Sequence, residues 1–229
     1  MKNKSPLRLG KTKLDFGAIG QSCLNGSSEM FTNLSMSIVN MLYNLQLMKY
    51  AGAGGVVSYG VIMYVSFIFI SIYIGYSIGT APIISYNYGA GNLDRVKKTF
   101  FLTFRACMIF AAVIWAMSMF LPQLFIGIFT SDAELTLYTE KAIHIYMATA
   151  FLLGIQVSCQ QTFLALGKAK ISLFLAALRK IFLLIPLIYI VPHFVEAKDM
   201  GVFLAEPIAD TIAVIATASC FIYEFRKII

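Results

Sequence analysis

Six apolar stretches, each about as long as a bilayer is thick, constrain this chain more than any other feature. They run over residues 18–48, 56–86, 100–129, 137–166, 171–192 and 200–225. A membrane-spanning helix needs about 20 mostly apolar residues. Transmembrane strands would instead alternate over segments of about 10 residues, so the pattern predicts helices. Short polar joints separate the stretches: Gly52-Ala53-Gly54-Gly55, Asn92-Leu93-Asp94-Arg95, Ser131-Asp132 and Glu196-Ala197-Lys198-Asp199. Hydrophobic residues make up 59% and charged residues 13% of the 229 residues. A soluble fold could not bury that much apolar surface, and disorder is excluded by the same balance. The expectation is an all-α polytopic membrane protein with six transmembrane helices. Residues 1–17 form a basic tail, 18–225 the bundle and 226–229 a short C-terminal end.

The net charge of +7 would suggest nucleic acid in a soluble protein. Here it reads as topology, because cytoplasmic loops carry excess Lys and Arg. Fifteen of the 18 basic residues fall on one side of a six-span arrangement, in the tail, at 95–105, at 168–180 and at 226–227. Lys49, Lys141 and Lys198 fall on the other. Both termini are therefore expected in the cytoplasm, with membrane lipid as surroundings and no nucleic-acid partner. Nothing at the N-terminus reads as a cleavable signal. Cys23, Cys107, Cys159 and Cys220 lack metal or disulfide spacing and are expected to be buried thiols. No nucleophile–base motif or metal cluster is present, so neither an enzyme nor a metal or organic cofactor is expected.

Polar groups within the spans are costly and so become functional candidates. In the first span Ser22, Gly26, Glu29, Asn33, Asn40 and Asn44 fall within an arc of about 60° at a helical 100° per residue. Phe31, Leu34, Ile38, Leu42 and Leu45 lie opposite. The polar arc suits a hydrated cavity, or else a polar seam between packed helices. In the last span Glu206 and Asp210, four residues apart, share a face beside Pro207. Two such carboxylates repel and can hold a proton between them, or can each bond a neighbour. The fourth span places Thr149, Gln156 and Gln160 on one face, suited to substrate or to packing, with His144 nearer the outer end as an interfacial hydrogen-bonder. Some of the abundant Phe, Tyr and Met can line a pocket for flat apolar cations.

The second span ends in Gly79-Thr80-Ala81-Pro82 and then Tyr86-Asn87-Tyr88-Gly89-Ala90-Gly91, with Arg95, Lys97 and Lys98 following. Pro82 is expected to kink the helix end, and Gly89 and Gly91 to permit a tight turn. The motif resembles the signature of the multidrug and toxic compound extrusion (MATE) family. Asn25-Gly26-Ser27-Ser28-Glu29-Met30 is similar to the start of that family's seventh helix, and Pro207-Ile208-Ala209-Asp210 to its final helix. The family is built from two six-helix bundles, and the resemblance is to the second, in the bacterial drug-exporter branch. It implies one lobe of an antiporter in a bacterial cell membrane, exporting small cationic drugs in exchange for protons or sodium ions. It implies Glu29 as the coupling carboxylate. Where some members carry an Asp on the tenth helix, this chain presents Gln156 and Gln160, which argues against sodium binding of that kind. A second bundle, from a missing N-terminal half or a second copy, is the implied partner. The alternatives are an inactive or subunit-type half-transporter and a lipid-linked saccharide flippase. A flippase calls for inward-reaching cations; Arg179 and Lys180 are the only basic pair able to reach inward, and they are expected near the cytoplasmic interface.

Overall fold

The computed structural model describes residues 14–228, apart from the side chains of Asn25, Ser28, Glu29 and Ile228; the basic tail over 1–13 lies outside the described residues. Every regular element among the described residues is helical. The first, α1 (Phe16–Gly89), has 74 residues. Its apolar part, Met30–Gly89, has 60 residues, about 90 Å at 1.5 Å per residue, so it cannot be one crossing. The chain reverses at Gly52, the only residue within α1 whose backbone is non-helical (φ 64°, ψ −152°). Essentially only glycine adopts those angles. Gly55 allows the reversal to close, since a Cβ there would lie 2.6 Å from the Cβ of Ala51. The two arms pack together, with Tyr59 stacked on Tyr43 at 4.7 Å and its hydroxyl donating to Asn40 Oδ1 at 2.8 Å. The second arm continues as helix through Pro82 to Gly89. The turn that follows needs Gly91, whose φ is +74°.

Next come α2 (Leu93–Phe120), the short α3 (Pro122–Ile126) and α4 (Ala133–Tyr146). The Asp132 side chain caps α4 by accepting from the N–H groups of Glu134 and Leu135, as a first turn requires. A 3₁₀ turn (Ala150–Leu152) joins α4 to α5 (Leu153–Ala165), and the two helices meet at 45°. The Trp115 indole N–H takes up the Ala148 carbonyl freed at this bend, at 3.0 Å. Gly154 lets α5 lie against α2, because a Cβ would come within 2.9 Å of the Cys107 carbonyl. The fifth rod is composite: α6 (Ala169–Ala177), a π-helical segment (Leu178–Leu184), α7 (Ile185–Ile190) and a 3₁₀ turn (Val191–His193). The sixth is α8 (Lys198–Ile228).

Four of these helices are individually long and apolar enough to cross a membrane, and the bent α4–α5 pair makes a fifth. The reversal at Gly52 divides the first of them into two rods. One end of the bundle gathers Ile84, Val96 and Leu166 with Phe225 against them, tied by Lys168 to Glu224. The other gathers Ala51, Gly55, Asp132 and Tyr138 around one depression, with Tyr138 donating to Asp199. Adjoining the first of these ends, Phe100, Phe163, Phe221 and Phe225 form one ring cluster joining α2, α5 and α8. Cys107 and Cys159 are buried and Cys220 is half-buried, but Cys23 is exposed, against expectation. The first arm of α1 buries neither of the two faces distinguished in the sequence. Ser35, Val39, Tyr43 and Leu47, which lie between them, turn into the core.

Candidate functional site: a cavity between charged and amide side chains

Arg179 and Lys180 open the π-helical segment of the fifth rod. Pro186, just beyond, lacks a backbone donor. π-type winding is one way in which a membrane helix accommodates that loss, and such segments recur at functional sites. Both cations point to α8. Arg179 Nε donates to Asp210 Oδ1 at 2.6 Å and Arg179 Nη2 to Glu206 Oε1 at 3.5 Å. Lys180 Nζ donates to the same Glu206 oxygen at 3.3 Å. Glu206 Oε2 accepts from the Tyr43 hydroxyl at 3.2 Å. Glu206 and Asp210 are each 4% exposed. The two carboxylates do share a face of α8, but they do not answer only to each other. Each has its own cation, and the four formal charges cancel. Arg179 and Lys180 therefore reach inward, into the bundle. Pro207 sits between the acids on the buried side of α8, and its carbonyl is taken up by the Thr211 hydroxyl at 2.8 Å.

These four side chains line a cavity of about 160 Å³. Next to them stand Tyr59 and Tyr146, which contact each other and Tyr43 edge-on or stacked at 4.7–6.3 Å. The rest of the lining is mostly apolar, including Met36, Met63 and Phe69, with polar side chains inserted: Thr32, Asn33, Asn40 and Ser66 from α1, and Gln156, Gln160 and Gln161 from α5. Gln156 is 1% exposed, and neither its Nε2 nor its Oε1 has a hydrogen-bond partner. An unpaired buried polar group costs about 1–3 kcal/mol.

Of the residues singled out in the sequence, Asn33, Asn40, Gln156, Gln160 and Asp210 meet at this cavity. Asn44 is exposed and lies away from it. Glu29 lies on α1, with its side chain outside the described residues. Gly79, Pro82 and Gly89 belong to the far part of the second arm and do not line the cavity. His144 Nε2 pairs with the Met119 carbonyl at 3.0 Å and joins α4 to α2. The residues that sequence reasoning missed are Tyr43, Tyr59 and Tyr146, together with the pairing of Arg179 and Lys180 to Glu206 and Asp210. The available signal was two cations in one span and two acids in the next. Among the described residues no group of three or more His, Cys, Asp or Glu could hold a metal ion.

The sequence pattern of the MatE family matches residues 29–190. The chain is similar to the MATE multidrug transporter DinF-BH, solved as a ligand complex. The identity is 30% and the TM-score 0.83, over 97% of this chain and 49% of that one. It is also similar to an outward-facing multidrug resistance MATE transporter of the MOP superfamily, with 18% identity and a TM-score of 0.84, over 100% of this chain and 49% of that one. A third likeness is to a MOP superfamily transporter from Pyrococcus furiosus, whose binding pocket is described as reversed in polarity. Identity there is 17% and the TM-score 0.85, over 94% of this chain and 48% of that one. The chain thus spans about half the length of the solved transporters it matches. A search of the curated proteins finds no match.

Proposed function

Because this chain belongs to the MatE family, whose solved relatives are membrane transporters, we propose that it is the C-terminal lobe of a multidrug efflux antiporter. The observation that carries this reading is the cavity of about 160 Å³, in a helical lobe that matches half of a multidrug transporter over 97% of this chain. Its aromatic and Met lining suits flat apolar drugs, organic cations among them. The lobe pairs with a second six-helix bundle, and substrate passes between the two as they rock about a central site. Glu29, on the first arm of α1, is the coupling carboxylate. It alternates between protonated and ionised forms as a proton or sodium ion is exchanged, and each form favours a different packing of the lobes. The setting is a bacterial cell membrane with both termini cytoplasmic, and the work done is transport rather than catalysis.

The test is a drug-resistance and efflux assay of this chain alone and with a second six-helix bundle supplied. Export is expected only with both bundles, and Glu29→Gln is expected to abolish it while expression is retained. Unchanged export in Glu29→Gln removes Glu29 from the mechanism. No export with any partner bundle favours an inactive or subunit-type half. Tags at both termini are expected to be protected in intact cells.

One observation favours the flippase reading: Arg179 and Lys180 do face the cavity. A pyrophosphate needs cations that are free to receive it, and both of these are engaged by Glu206 and Asp210. The drug reading therefore stands ahead of it.

A further inference from the structure

We propose that the outward face of α2 holds an anionic phospholipid, its phosphate gripped between Lys98 and Arg105 and its acyl chains lying along Leu102, Ile109 and Val113. The site is separate from the cavity and does not depend on what the cavity carries.

Three observations carry it. First, α2 has one buried face and one bare face. Val96, Thr103, Cys107 and Ile114 are buried, and at 100° per residue they share one side of the helix. Lys98 and Arg105 fall almost directly opposite. α2 reaches the cavity through Ile114, on the buried side, so the bare face looks away from the cavity and from any bundle that closes over it. Second, the bare face changes character along its length. Its start, at the end of the lobe that gathers Val96 with Ile84 and Leu166, carries the exposed Arg95, Lys97 and Lys98 beside one acid, Asp94. Leu102, Ile109 and Val113 follow, each more than half exposed, as a lipid-facing stripe. Third, Arg105 lies inside that stripe, exposed between Leu102 and Ile109, ten residues or about 15 Å beyond Arg95. Among the described residues neither Arg105 nor Lys98 has an ion pair. Glu224, an acid at the same end of the lobe, is already engaged by Lys168 and Lys227.

An unpaired guanidinium among acyl chains is costly, and a long side chain relieves the cost by rising to the headgroups. Helical side chains lean toward the N-terminus, which here carries Arg105 toward Lys98, two turns or about 10 Å away along the axis. The guanidinium fork matches two phosphate oxygens, and the ammonium adds a point charge. Four bases to one acid over 94–105 favour a headgroup of net negative charge, since a zwitterionic one brings its own cation into the same place.

The experiment uses the full chain in phosphatidylcholine vesicles holding a minority of phosphatidylglycerol, with bromine on the acyl chains of one lipid or the other. Bromine quenches tryptophan fluorescence on contact. Trp115 is the single tryptophan of the chain and lies about 15 Å beyond Arg105 on the same helix, at a depth that the acyl chains of a lipid held there reach. Quenching is expected to show a preference of about tenfold for phosphatidylglycerol. Lys98→Gln and Arg105→Gln are each expected to lower it about fivefold, the effect of one basic residue beside anionic lipid. Lys170→Gln, at the same end of the lobe but on α6, is expected to leave it within about twofold of wild type. The proposal is overturned if wild type shows no preference, if Lys98→Gln or Arg105→Gln retains it, or if Lys170→Gln lowers it as far, which would make it a property of the basic end as a whole. It is also overturned if inorganic phosphate abolishes the preference where chloride of equal ionic strength does not, since the site then takes free phosphate. Both substitutions fall on a bare face, so each variant is expected to melt like wild type; should one fail to reconstitute, the other decides.

Discussion

Two polar groups face the same cavity. One is ionic: Arg179, Lys180, Glu206 and Asp210, on the fifth and sixth rods. The other is made of amides: Asn33, Asn40, Gln156, Gln160 and Gln161, on the first and fourth. The ionic group is closed, every member hydrogen-bonded to another, with Tyr43 adding a further donor. The amide group is open at Gln156, where two buried atoms find no partner. Removing charges from water is expensive unless they meet each other with good geometry, and a closed quartet is therefore spent on holding α8 to the fifth rod. A neutral amide can remain open at a smaller cost. Charge in this cavity is thus fully paired, whereas the Gln156 amide is not.

Breaking the closed group should have the largest effect. Arg179→Met leaves Asp210 buried without its cation and should cost about 3–5 kcal/mol, seen as a fall in melting temperature in detergent. Adding Asp210→Leu should recover much of that loss, since removing both partners of a buried pair is often close to neutral. If Arg179→Met melts like wild type, the quartet is not a lock and the contrast collapses. Gly52→Ala should come next. It forces a side chain into a backbone region that is essentially glycine-only, at about 1–3 kcal/mol, and it displaces Asn33 and Asn40 relative to α5. Tyr59→Phe removes one hydrogen bond and should cost about 1 kcal/mol. It also frees Asn40 Oδ1, so calorimetry with a donor-bearing probe should show tighter binding. Asn44→Leu should fall within about 0.5 kcal/mol of wild type and leave probe binding unchanged. A larger effect would mean that the polar arc of α1 acts as a unit, cavity or not.

Much of the helical organisation was legible because it follows from local rules. Long apolar runs must become helices in a membrane, where each backbone group needs a partner within its own segment. The joint at 52–55 reads as a break because of its glycines, although only Gly52 takes the left-handed conformation. At Pro82 the helix passes on to Gly89, where the turn itself falls to Gly91. For the cavity, the period of the first span found Asn33 and Asn40 but also swept in Asn44. A helical wheel gives faces and not what they face, and here the core chose the face between the two that the wheel separated. Glu206 and Asp210 were found as neighbours because i and i+4 are always neighbours on a helix. Their cations lie 26–31 residues away in sequence, and no local period links them.

The sequence by itself determined that the chain is a helical membrane protein of the MATE type, because bilayer thickness, backbone satisfaction and the Gly/Pro motif all act over short stretches of chain. Only the tertiary structure decided which polar groups neutralise one another and which stay open. Pairing across rods depends on their rotation and depth, and here a π-helical segment in one rod sets both. That segment carries Arg179 and Lys180, the partners of Glu206 and Asp210, while Gln156 on α5 stays unpaired.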